Sequence, residues 1–119
     1  MNGETHTEPH DEMWDRVRSI RTWLDENTSG QTQTERELLR VLKIGEEFGE
    51  VAEALHGAHN ANPRKGASHT RADVSKELID VAVTALIALD TIDPEARKAF
   101  DARLQHLVDR VVPPSSSAA

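Results

Sequence analysis

Two acidic pairs at helical spacing dominate the chemistry open to this chain: Glu47 and Glu50 in Glu46-Glu47-Phe48-Gly49-Glu50, and Glu77 and Asp80 in Glu77-Leu78-Ile79-Asp80. Residues three or four apart lie on one face of an α-helix, so each segment offers two carboxylates side by side. Carboxylates converging in this way make a site for a hard cation. Mg²⁺ prefers oxygen ligands and works alongside substrate phosphates, which points to a nucleotide or another polyphosphate. For any single glutamate the ordinary outcome is a solvated helix face. At 100° per residue, however, Glu47 falls about 60° from Ile44, at the border of the stripe Ile44, Phe48, Val51 and Leu55, with Glu50 about 60° further round and Glu53 opposite, in solvent. Glu77 and Asp80 open a segment, Leu78 to Leu89, that is apolar nearly all the way round. A carboxylate buried there needs a cation or hydrogen bonds to compensate it. Lys76 or Arg71 can supply an ordinary salt bridge, but the second acidic pair leaves too few cationic partners, and a bound metal resolves that conflict best.

The elements that must position these groups are helices. Met13, Trp14, Val17, Ile20, Trp23 and Leu24 recur near the helical period and predict a first helix that stops before Thr28-Ser29-Gly30. Thr34 with Glu37 three residues on reads as a capping box for a second, longer helix, and Gly57 is its expected stop. The stretch HGAHNANPRKGASHTR, His56 to Arg71, has no sustained period and reads as a loop. Asp73 or Ser75 is the expected cap of the third helix, predicted to be the most buried element. Asp93 and Pro94 open the fourth, which follows Ala96, Phe100, Leu104, Leu107, Val108 and Val111. No strand signal competes, so the fold class is all-α, a small four-helix bundle.

At 119 residues the chain fits one domain, read as residues 11–112 between a polar segment, 1–10, and a Pro/Ser/Ala tail, 113–119, both expected to be disordered. A net charge of −7 without a long basic stripe argues against a nucleic-acid surface. The absence of cysteine excludes disulfides and thiolate metal sites. No basic and then apolar leader pattern and no membrane-length apolar run are present, so the expectation is a cytoplasmic protein with no membrane partner.

From Leu38 to Leu89 the chain resembles the MazG-like members of the all-α nucleoside triphosphate pyrophosphohydrolase superfamily. The family signature is Glu-Glu-x-x-Glu followed, after a variable loop, by Glu-x-x-Asp. The flanks KIGEEFGEVAEALHG and KELIDVAVTALIALD share the family's lysine-rich approach and its apolar run after the second motif. The resemblance implies hydrolysis of a nucleoside triphosphate between its α and β phosphates, with Glu47, Glu50, Glu77 and Asp80 as ligands of Mg²⁺, or of Mn²⁺ in its place. Glu46 is then the candidate for orienting or deprotonating the attacking water. Lys43, Arg64, Lys65, Arg71 and Lys76 are candidate phosphate partners. Family members often hold the base between aromatic side chains. Trp14 is the candidate for that role, with Trp23, Phe48 and Phe100 expected in the core. Ile79 stands where the family often has glycine, a departure that affects packing around Asp80.

Glu53-Ala54-Leu55-His56 spells Glu-x-x-His, the motif that di-iron bundles use in pairs, but only one copy is present and His106 follows Arg103 instead of an acid. Competing readings are an enzyme like phosphoribosyl-ATP pyrophosphohydrolase and a non-catalytic helical metal-binding or assembly protein. An apolar third helix exceeds what four short helices readily cover, and the family usually forms dimers or pairs of dimers, so a homo-dimer or homo-tetramer is expected.

Overall fold

The computed structural model describes residues 9–59 and 69–114, and its regular elements are all helical: α1 (Pro9–Asn27), α2 (Gln33–Ala58), α3 (Arg71–Ile92) and α4 (Ala96–Val111). The chain is therefore the all-α, four-helix fold expected. Residues 1–8, 60–68 and 115–119, which include the candidates Arg64 and Lys65, lie outside the described residues. Among the described residues no helix is long and apolar enough to cross a membrane.

Helix starts depart from the expectation by small steps: α2 and α3 begin at threonine caps upstream of the expected ones, and α4 begins later. Thr-x-x-Glu occurs twice in a row, at Thr32 and at Thr34, and the earlier copy is used: Thr32 Oγ1 accepts the Glu35 N–H at 3.1 Å and Glu35 Oε1 accepts the Thr32 N–H at 3.0 Å. Thr70 caps α3 in the same way, with Asp73 as the reciprocal partner instead of the cap itself. Each side-chain cap contributes about 1 kcal/mol. Asp93 and Pro94 form a turn ahead of α4, Asp93 Oδ1 accepting the Glu95 N–H, and the helix itself begins at Ala96. At the other end of the register, α1 begins at Pro9, so the last residues of the expected disordered segment are helical.

All other helices pack on α3. α2 runs antiparallel to it: Gln33 Nε2 donates to the Thr91 carbonyl at 3.0 Å near one end of the seam, and Glu47 meets Asp80 toward the other. The core lies where α1, α3 and α4 meet, on Trp14, Val17, Ile87 and Ala96, with Leu24, Val83, Leu86, Leu89 and Phe100 around them. Burial of α3 is confined to its C-terminal half, at Ile87, Ala88 and Asp90; Leu78 and Ile79 are exposed.

A polar seam locks α1 to α2 and α3. The Asp90 side chain, 1% exposed, accepts from Arg21 Nε at 2.7 Å and Arg18 Nη2 at 3.1 Å. Asp25 accepts from Arg21 at 2.8 Å and Arg40 at 2.6 Å. Arg36 Nη2 donates to the carbonyls of Asp25 and Thr28, closing the C-terminal end of α1 from the neighbouring helix. Burial raises the Asp90 carboxyl, but the bonds from Arg21 and Arg18 outweigh it and hold the group below the usual carboxylate range.

Candidate metal centre

On α2 the row turned inward runs through Arg36, Arg40, Ile44, Glu47, Val51 and Ala54 to Gly57. Compared with the stripe read from apolar residues alone, this face is rotated by about 50°, half of one residue step. The rotation carries Glu47 into the seam against α3 and turns Phe48, 65% exposed, and Leu55 outward. The cause is the polar seam: Arg36 and Arg40 face inward because Asp25 is there to receive them.

Glu47 thereby meets Glu77 and Asp80 across the seam, and each offers a carboxylate oxygen within 4.8 Å of the other two. Oxygens bound to one Mg²⁺ at about 2.1 Å lie at most about 4.2 Å apart, so small side-chain rotations would close this group on an ion. Glu47 Oε2 and Glu77 Oε2 are buried without a hydrogen-bond partner, and those side chains are 12% and 20% exposed. An unmet buried carboxylate oxygen is costly, and a cation is the partner that both lack. Glu50 adjoins them: its carboxyl is held above its ordinary range, chiefly by the charge of Glu47, then by desolvation and the charge of Glu77.

Two lysines supply part of the compensating charge from the rim. Lys43 Nζ lies 3.7 Å from Glu46 and 3.8 Å from Glu47. Lys76 Nζ lies 3.2 Å from Asp80 and 3.5 Å from Glu77, and Asp80 leads in raising the Lys76 ammonium. Both ammonium groups are more than half exposed, so these pairs are weak. They leave the group with four carboxylates against two cations.

The other candidates fall elsewhere. Glu46 faces solvent and reaches the group only through Lys43, which it shares with Glu47. Arg71 is exposed at the start of α3. The aromatic expectation reverses for three of four: Trp14 is buried edge-on against Phe100, ring centroids 5.8 Å apart, while Trp23 and Phe48 are exposed, and Phe100 packs on the core as expected. Glu53 and His56 are exposed, and among the described residues no histidine joins a metal-ligating group. Arg40 and Asp25 carry no local signal in the sequence, whereas Asp90, an aspartate at the end of the apolar run of α3, is itself a sign of a buried ion pair. No family profile, no curated protein and no solved structure matches the chain.

Proposed function

We propose that the chain is a divalent-cation-dependent nucleoside triphosphate pyrophosphohydrolase of the MazG-like kind, cleaving between the α and β phosphates in the cytoplasm. The reading is supported above all by the facing carboxylates of α2 and α3 with two buried, unpartnered oxygens. Glu47, Glu77 and Asp80 would hold Mg²⁺ or Mn²⁺, with Glu50 as the fourth oxygen donor. When bound, such a cation neutralises phosphate oxygens and acidifies water. Lys43 and Lys76 stand at the rim, where phosphate oxygens would replace the carboxylates as their partners. The test is pyrophosphate release from a panel of ribo- and deoxynucleoside triphosphates, with and without Mg²⁺, beside a folded Glu50→Ala variant. Release that needs both metal and Glu50 upholds the reading; no release from any nucleotide overturns it.

The chain is further proposed to act as a homo-dimer through the face of the α2–α3 pair turned away from α1. Leu38, Val41, Phe48 and Leu55 of α2 and Leu78 and Ile92 of α3 are all exposed there. Gly45 and Gly49 lie in the middle of α2, where glycine weakens a helix by about 0.5–1 kcal/mol, and a Cβ added at either meets nothing within 4 Å. Nothing inside the described residues requires these glycines; a second helix approaching closely would. The same face favours the assembly-protein reading should turnover fail.

A further inference from the structure

Charge changes sign along the α2–α3 seam. At one end stand Glu47, Glu50, Glu77 and Asp80. One turn back from Glu47 on α2 is Lys43, and next to it on the inward row is Arg40; one turn on from Asp80 on α3 is Thr84, followed by Ile87. Leu24, Arg40, Lys43, Thr84 and Ile87 line a cavity of about 140 Å³. Leu24, Arg40 and Lys43 also line a second cavity of about 220 Å³ toward Thr28 and Gln31. At about 30 Å³ per water molecule, each has room for several waters or for a polar group of that size.

Arg40 carries the observation that points to a ligand. Its side chain is 10% exposed, and Nη1 donates to Asp25 Oδ1 at 2.6 Å and to Thr91 Oγ1 at 3.1 Å. Its Nη2 is buried with no hydrogen-bond partner. The charge around it is also unbalanced: Arg18, Arg21, Arg36 and Arg40 gather on Asp25 and Asp90, four guanidinium groups on two carboxylates. Lys43 adds a further positive charge whose partners are Glu46 and Glu47. A cation taking Glu47 competes with Lys43 for that carboxylate and leaves the ammonium to an anion.

We infer that the Arg40, Lys43 and Thr84 cleft is a subsite for a phosphoryl group, placed to hold the pyrophosphate end of a substrate whose reacting phosphates lie at the carboxylates. Guanidinium, ammonium and hydroxyl donors match phosphate oxygens, which only accept. The separation also suits a polyphosphate, since Lys43, which lines the cleft, stands one turn from Glu47, about 6 Å along the helix axis. That the guest is the end of a nucleotide rests on the hydrolase reading; the affinity of the cleft for phosphoryl groups does not.

The test is a titration of the full chain with inorganic pyrophosphate, in EDTA and again with Mg²⁺. It follows the Arg40 side-chain N–H signals and the Lys43 and Thr84 amides by ¹H–¹⁵N NMR, with orthophosphate as the second probe. Saturable shifts at these groups are expected, tighter for pyrophosphate than for orthophosphate. Lys43→Met and Thr84→Val, which leave the Asp25 and Asp90 network intact, should weaken binding, the lysine change by about tenfold or more. Shifts that are absent in both conditions, or indifferent to both substitutions, overturn the subsite. Nucleotide turnover is scored separately. Shifts without any pyrophosphate release sink the hydrolase reading and leave the subsite standing; release with the cleft unperturbed does the reverse.

Discussion

Replacing Glu77 by glutamine should stabilise the metal-free protein while removing its response to metal. Glu77 shares a site with Glu47 and Asp80, whose oxygens approach within 4.8 Å, and with Glu50. One such pair repels by about 0.9 kcal/mol in a water-like dielectric and about 3.5 kcal/mol at an effective dielectric of 20. Against three like charges Glu77 has Lys76 at 3.5 Å, an ammonium that keeps Asp80 as its better partner when Glu77 is gone. With solvent reaching the rim, the low end applies, and the net expectation is a gain of about 1 kcal/mol, or about 4 °C in Tm for a domain of this size. Glutamine also brings an N–H₂ donor beside Glu47, whose Oε2 lacks one.

The assay is thermal unfolding followed by circular dichroism, in EDTA and in millimolar Mg²⁺. Wild type should rise on adding metal, by about 2.7 kcal/mol where the metal stands at a hundred times its Kd. Glu77→Gln should start higher and respond far less, so the two proteins exchange order. A variant less stable than wild type in EDTA would show that Glu77 is there to hold the helices together. A wild type indifferent to Mg²⁺ and Mn²⁺ would remove the metal assignment.

The double variant Gly45→Ala, Gly49→Ala should raise helix content yet weaken self-association, measured by light scattering at micromolar concentration; a wild type of monomeric mass refutes the interface. Phe48→Asp should yield a folded monomer by the same measurement, because it puts a charge into the middle of that face. Asp90→Asn should cost about 2–3 kcal/mol at neutral pH, below the full cost of breaking a buried pair because Arg18 is largely exposed and Arg21 keeps Asp25. Since the folded Asp90 carboxyl is held low, its contribution is present above the ordinary carboxylate pKa and lost as pH falls through the folded value. The gap between wild type and Asp90→Asn in urea unfolding should therefore close below about pH 4, and a gap that persists there counts against the ion pair as its source.

Helix number and order were legible because they rest on local chemistry, the apolar period, the Thr-x-x-Glu repeat and Asp93-Pro94, which act within a few residues, whereas the caps themselves stand at Thr32 and Thr70 and α4 starts at Ala96. The facing of α2 was not legible, because apolar residues alone do not say which of two possible stripes is inside. Leu38, Val41, Phe48 and Leu55 form as good a stripe as the residues that are buried, and what selects between them lies far away in sequence, at Asp25 on α1 and Thr91 on α3. The carboxylate reading holds under either facing, because the rotation carries Glu47 from the border of the expected stripe into the seam and keeps Glu50 one turn further along beside it. The place of Trp14 does not follow from local pattern, because what buries it is Phe100 on α4, far away in sequence.

The second stripe has a physical consequence for the site. Two apolar faces on one helix are stable only when both are covered, and α1 and α3 cover one. Association through the other face would close over Phe48, which follows Glu47 directly and lies within two residues of Glu46 and Glu50. Desolvating that border strengthens every charge interaction among the carboxylates, raising the cost of leaving them without a cation and the gain from binding one. Self-association and metal binding are therefore expected to be coupled, each favouring the other by the same factor. The coupling would appear as a Mg²⁺ affinity that increases with protein concentration, and Phe48→Ser, which replaces none of the carboxylates and adds no charge beside them, should weaken that affinity to a concentration-independent value.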